Sequence, residues 1–176
     1  MYANIENTDY HNSSEDNYKH APWKEDHAND ITSVTVVDKI KPANLNSWFL
    51  GLKNCATLDV TNIDVSNARS LSYTFHEAGY NVDNFKIIGL DDWEVSNITN
   101  LFYPFYQTGY KAKEWSIGDL ANWNTSSVDE MCGTFREAGY NATNWYVGDL
   151  GNWDVSDVDD LTQTFLYTGN NSKTFN

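Results

Sequence analysis

Basic residues are scarce: eleven Lys and Arg stand against 25 Asp and Glu, a formal charge of −14. A surface so poor in cations cannot neutralise a phosphate backbone, which argues against nucleic-acid binding and against docking on anionic lipid. Long apolar runs are missing too. None approaches the roughly 18 residues of a membrane-spanning helix, so no membrane insertion is expected. The first twenty residues (MYANIENTDYHNSSEDNYKH) lack the apolar stretch of a secretory leader, and none is expected there. The two cysteines, Cys55 and Cys132, are too few for a disulfide framework, and their spacing fits no zinc or redox motif. Both read as buried thiols acting as small apolar groups.

Aromatic residues, by contrast, are plentiful: 15 % of the 176 residues, with seven Trp among them. That excludes a wholly disordered chain. The aromatics also recur on a fixed period. Trp93, Trp123 and Trp153 are spaced thirty residues apart, and Ile63 holds the same phase one step earlier. Each opens a tetrad: Ile63-Asp64-Val65-Ser66, Trp93-Glu94-Val95-Ser96, Trp123-Asn124-Thr125-Ser126 and Trp153-Asp154-Val155-Ser156. Phe75, Phe105, Phe135 and Phe165 follow twelve residues on, and Gly79, Gly109, Gly139 and Gly169 four after those. Phe85, Trp115, Trp145 and Phe175 complete the frame. A period of this length marks a repeat architecture, in which stacked units bury what one alone cannot.

Within a unit, the alternation in Trp115-Ser116-Ile117 and Trp145-Tyr146-Val147 predicts a short strand with one face inward. The tetrad's Ser is placed to accept a backbone N–H and open a helix, and the Gly at 79 and its equivalents to end it as a left-handed cap. Pro104 would cost roughly 3 kcal/mol inside a helix spanning 97–108, so the helix is expected to begin near 102 with Pro104 in its first turn. The fold class expected is therefore α/β: a leucine-rich-repeat-like solenoid of about 30-residue strand–turn–short-helix units. Residues 1–21 are expected to be a disordered or loosely attached acidic tail, and 22–62 an N-terminal cap and first repeat-like unit. Residues 63–176 form the repeat solenoid, whose last unit stops short at Asn176 as a fragment of a longer protein would. Its expected core is Trp93, Trp123, Trp153, Phe75, Phe105, Phe135, Phe165, Trp115 and Trp145.

The segment Trp48-Phe49-Leu50-Gly51-Leu52-Lys53-Asn54-Cys55-Ala56-Thr57-Leu58-Asp59-Val60, running on to Asp64-Val65-Ser66-Asn67, resembles the BspA-like leucine-rich repeat surface proteins. Trp23, Ile31-Thr32-Ser33-Val34 and Lys39-Ile40-Lys41-Pro42 resemble the entry segment that precedes such repeats. Gly139-Tyr140-Asn141-Ala142-Thr143-Asn144-Trp145 is similar to the variant of bacterial surface proteins of mycoplasma or lactobacillus type. The resemblance spans residues 22–176. It implies a leucine-rich-repeat-like solenoid, no enzymatic activity, an extracellular or cell-surface location, and adhesion to host, matrix or other cell-surface proteins. This chain departs from the family's usual Met-Phe pair, with Thr74-Phe75, Pro104-Phe105, Thr134-Phe135 and Thr164-Phe165.

No catalytic constellation is legible. The histidines are His11, His20, His27 and His76, of which His20 and His27 flank Trp23 as an incidental pair rather than a metal site. Nucleophile elbows, His-Glu-x-x-His and phosphate loops are missing. Asp157-Val158-Asp159-Asp160 and the Gly-Asp-Leu pairs at 118–120 and 148–150 read as a solvated acidic face rather than calcium loops. No cofactor and no metal are expected.

The units disagree at particular phases: Tyr73, Tyr103, Gly133, Gln163; then His76, Tyr106, Arg136, Leu166; and Ser72, Phe102, Cys132, Thr162. Equivalent positions form columns along one side of a stack, and Tyr, Phe and Arg are the types that anchor interfaces. Tyr73, His76, Tyr103, Tyr106, Arg136 and Leu166 are therefore the expected protein-binding residues. Tyr80, Tyr110 and Tyr140 are expected to pack over the helix end. A rival reading starts from charge: residues 89–176 carry −9 of the total, and an acidic rod can occupy a basic protein groove as an intracellular nucleic-acid decoy.

Overall fold

Alternating apolar residues build short parallel strands, one per unit. In the computed structural model, which describes residues 27–175, these are β1 (Ser33–Thr35), β2 (Thr57–Asp59), β3 (Asn84–Ile88), β4 (Glu114–Ser116), β5 (Asn144–Trp145) and β6 (Thr174–Phe175). The expected tail at 1–21, Trp23 and His20 lie outside the described residues. Strands β1 to β4 form one parallel sheet in sequence order, and β5 pairs β6 in a second. Their registers set Leu58 beside Ile87, Phe85 beside Trp115, and Trp145 beside Phe175. A further line of bridges joins Ser70, Asn100, Glu130 and Asp160. Equivalent residues of successive units thus lie side by side.

The expected short helices are absent from the repeats at 63–175, where the one helical element is a 3-10 turn at Leu150–Asn152. Backbone hydrogen bonding explains the difference. Leu71, Tyr73, Phe75 and Glu77 donate their N–H groups to Asn100, Phe102, Pro104 and Tyr106 of the next unit. Between them Thr74, His76 and Ala78 donate three residues back, to Leu71, Tyr73 and Phe75. An α-helix turns every N–H onto its own chain; this arc sends every second one to its neighbour. The alternation needs left-handed backbone, found at Tyr73 (φ 56°) and Glu77 (φ 58°) and again at Tyr103, Gln107, Glu137, Gln163 and Tyr167. Each such residue costs about 1–2 kcal/mol, which the bonds to the next unit offset at about 0.5–1.5 kcal/mol apiece along with the packing beneath. Leu71, Phe75 and Ala78 all face the core. Their spacing matches a helix stripe, and that is how the arc imitates one in the sequence.

Pro104 fits this arc without opening a helix. It stands at the phase of Thr74 and Thr134, whose N–H groups only close local turns, so the ladder between units is intact and the Pro104 carbonyl accepts from Phe75. Gly79 and Gly109 do have positive φ, at 65° and 53°, but cap nothing. A Cβ on Gly79 would lie 2.0 Å from a Phe85 ring carbon, so the glycine is needed for close packing. The tetrad's Ser also plays a different part from the expected one. Its N–H donates to the preceding side chain, as in Ser66 to Asp64 at 2.9 Å and Ser156 to Asp154 at 3.0 Å.

Stacked aromatic columns fill the interior. Phe49, Phe75, Phe105, Phe135 and Phe165 follow one another at 5.3–5.5 Å between ring centres. Trp93, Trp123 and Trp153 form a second column at 6.4 and 6.1 Å, and Trp115, Trp145 and Phe175 a third. The indoles of Trp123 and Trp153 donate to the Leu90 and Leu120 carbonyls, at 2.8 and 2.9 Å. Of the nine expected core residues, seven are buried, Trp153 is half-buried, and Phe165 is 47 % exposed at the outer face of the last unit.

Candidate functional site: a tyrosine ridge

The arc between the tetrad and the next strand places its variable columns side by side. Tyr73 stacks on His76 at 5.5 Å and on Tyr103 at 5.9 Å, and His76 meets Tyr106 at 4.7 Å. Tyr103 stands edge-on to Tyr106 at 5.4 Å and to Phe102 at 4.6 Å. The Arg136 guanidinium lies 5.0 Å over the Tyr106 ring and is held by Glu137 at 3.4 Å. Five of the six expected binding residues are therefore joined through side chains into one half-buried ridge. Leu166 is half-buried one unit further along the His76 column, its carbonyl accepting from the Glu137 N–H.

The irregular column has a steric reason. Gly133 occupies the left-handed phase of Tyr73 and Tyr103, and a Cβ there would lie 2.3 Å from the Tyr103 ring. Tyr103 crosses this gap to donate its hydroxyl to Gln163 Oε1 at 3.0 Å, and Arg136 Nη1 donates to the same oxygen. The large, absent and amide side chains of that column are matched to one another. Burial foremost, then the contact with Cys132, pushes the Tyr103 hydroxyl above its ordinary range. Burial, then the Glu137 carboxylate, does the same for Tyr106.

A second ladder runs beside the ridge. Tyr80, Tyr110 and Tyr140 stack at 4.9 and 4.7 Å, each half-buried. There is no helix end beneath them, contrary to the packing role expected from the sequence. Lys53 and Lys111 bring their ammonium groups to 5.7 and 5.4 Å from the Tyr80 ring centre, and Lys53 also pairs with Glu77 at 3.0 Å. Burial, followed by the charges of Tyr140 and Glu137, raises Tyr110. The thirty-residue spacing of these tyrosines was the available signal.

Other polar groups are committed to structure. The carboxylates of Asp119 and Asp149 accept from the backbone two residues on, at 2.9 Å each. Glu130, Cys132 and Asp160 cluster with donor atoms within 4.8 Å of one another. In that cluster the Glu130 and Asp160 side chains accept from the Cys132 and Thr162 N–H groups, at 2.6 Å each. Both cysteines are unpaired thiols, and burial lifts Cys55 to about 11. No helix among the described residues is long and apolar enough to cross a membrane.

Residues 80–176 match the family described as "Mycoplasma protein of unknown function, DUF285". This chain belongs to that family. No curated protein and no solved structure matches it. The match begins at Tyr80 and contains Tyr103, Tyr106, Arg136 and Leu166, with the rest of the ridge just before it.

Proposed function

We propose that this chain is a non-enzymatic protein-binding repeat domain whose contact surface is the ridge Tyr73, His76, Tyr103, Tyr106, Arg136 and Leu166. Its units wind as a leucine-rich-repeat-like solenoid without helices. The observation that carries the reading is the continuity of the ridge: aromatic rings and a guanidinium from three successive units touch in one half-exposed facet. Tyrosine and arginine in such a setting offer large contact area at little loss of side-chain freedom. The BspA-like resemblance supports a place at a bacterial cell surface and a partner among host, matrix or other cell-surface proteins. Neither a cofactor nor a metal enters this reading.

A second reading has one observation in its favour. Asp129, Asp154, Asp157 and Asp159 are exposed in the last two units and take part in no ion pair among the described residues. An intracellular decoy filling a basic groove would use that field.

The test is capture by the chain and by a variant with Tyr103, Tyr106 and Arg136 changed to Ala, at low and at high salt. A salt-resistant extracellular protein partner, lost with the variant while its near-ultraviolet circular dichroism persists, supports the ridge. Salt-sensitive capture of basic cytosolic proteins by both supports the decoy.

A further inference from the structure

The molecule displays one recognition chemistry three times within itself. Lys53 and Lys111 lie within 6 Å of the Tyr80 ring centre, and Arg136 within 6 Å of that of Tyr106, the range in which a ring attracts a cation. A carboxylate stands beside two of the three cations: Glu77 with Lys53, and Glu137 with Arg136. Lys111 reaches Tyr80 although Tyr110, from the same unit as that lysine, is stacked on the ring at 4.9 Å. Tyr110 lies between Tyr80 and Tyr140, at 4.9 and 4.7 Å, and Tyr140 also meets Tyr167 at 6.5 Å, so a cation reaches either ring past a neighbouring one, as Lys111 does.

Along the same ladder the cation then disappears. The next-unit position that holds Lys111 for Tyr80 holds Asn141 for Tyr110 and Asn171 for Tyr140. Among the described residues no Lys or Arg lies over either ring. Asn141 instead donates to the Tyr110 carbonyl at 3.1 Å, and Asn171 to Asn141 at 2.7 Å. A formal charge of −14 draws basic groups toward the surface, and the Glu137 carboxylate acts on Tyr110.

We propose that Tyr110 and Tyr140 take lysine or arginine side chains from the protein partner, so that the partner meets the ladder with a basic segment. This rests on the protein-binding reading above and adds the chemistry of what is bound. Asn141 and Asn171 stand at the positions equivalent to Lys111 and bring no cation to these rings.

The test uses a short Arg-Ser repeat peptide and the same peptide with citrulline for arginine, titrated into the whole chain by calorimetry. The Asn141→Lys variant supplies the cation from within. Asn122→Lys, at an exposed position outside the ladder, makes the same change of charge, and Asn171→Lys repeats the test at Tyr140 without touching the Tyr110 carbonyl. Binding of the arginine peptide over the citrulline peptide is expected, with a loss of roughly fivefold in Asn141→Lys and Asn171→Lys beyond that in Asn122→Lys. Equal weakening by all three lysine variants would mean attraction by net charge alone and would overturn the proposal. So would equal binding of the two peptides, or none. Those outcomes leave the ridge itself standing, since its own failure is read from whole-protein capture with the triple alanine variant.

Discussion

The Tyr103 hydroxyl reaches Gln163, sixty residues away in sequence, at 3.0 Å, by crossing the space above Gly133. Three residues of one column that look unrelated in the sequence are thus one fitted arrangement. Gly133→Ala meets two obstacles: a backbone at φ 63° and a Cβ 2.3 Å from the Tyr103 ring. We expect a loss of about 1–2 kcal/mol from the left-handed backbone alone, read as a lowered urea midpoint, with the ring collision added. Tyr103→Ala in the same chain should recover the collision part. Strict additivity of the two changes would show that they do not interact.

Burial separates two phenylalanines of one column. Phe135 is fully buried between Phe105 and Phe165, whereas Phe165 is 47 % exposed. Phe135→Ala should cost about 3–5 kcal/mol, and so should Trp123→Ala. Phe165→Ala should cost clearly less. Comparable losses at 135 and 165 in denaturant melts would contradict the packing described.

Acid should weaken the molecule through particular carboxylates. The Ser66 hydroxyl and N–H, with Lys41 beside them, hold Asp64 down to about 2, below its ordinary value of 3.8. Asp154 and Asp160 are lowered by the same kind of bonds, from Ser156 and Thr162. A carboxyl with a depressed folded-state pKa stabilises above its unfolded pKa, and that stability is lost as pH falls through the folded value. For Asp64 the window lies between about pH 4 and pH 2. The urea midpoint should fall across it, and less steeply in Asp64→Asn. Identical slopes for the two proteins would remove Asp64 from this account.

Cys55 provides a reporter of unfolding. It is fully buried, its thiol donates to the Thr57 carbonyl at 3.2 Å, and burial raises it to about 11. Alkylation detected by mass should leave it untouched at pH 8 in the folded chain and modify it fully in denaturant. Modification of Cys55 under native conditions would place it nearer the surface than the packing allows.

Strands and core were legible because their signals are local and periodic: Phe85-Lys86-Ile87 alternates, and the Phe and Trp columns repeat at thirty. The arc was not. Leu71, Phe75 and Ala78 carry the spacing of a helix face, and Gly79 stands where a helix would end. What separates the alternatives is the direction of every second N–H, which only the neighbouring unit decides. Pro104 was the clue, since it breaks a helix yet sits easily where the N–H would close a local turn. Ridge columns were legible from disagreement between aligned units. The Tyr80 ladder, equally periodic, was obscured by the helix assigned beneath it.

The hydrogen bonds that pass from each arc to the next have a mechanical consequence. Phe75 donates to Pro104, Phe105 to Thr134 and Phe135 to Thr164, so each unit is clasped by its sequence neighbours. Tension on the two ends of the chain therefore loads the outermost ladder, whose bonds part in succession, before it reaches the ones inside. A detached unit pays out about thirty residues, on the order of 100 Å of slack. Under load the array yields in steps, its inner units keeping their shape while the outer ones unwind.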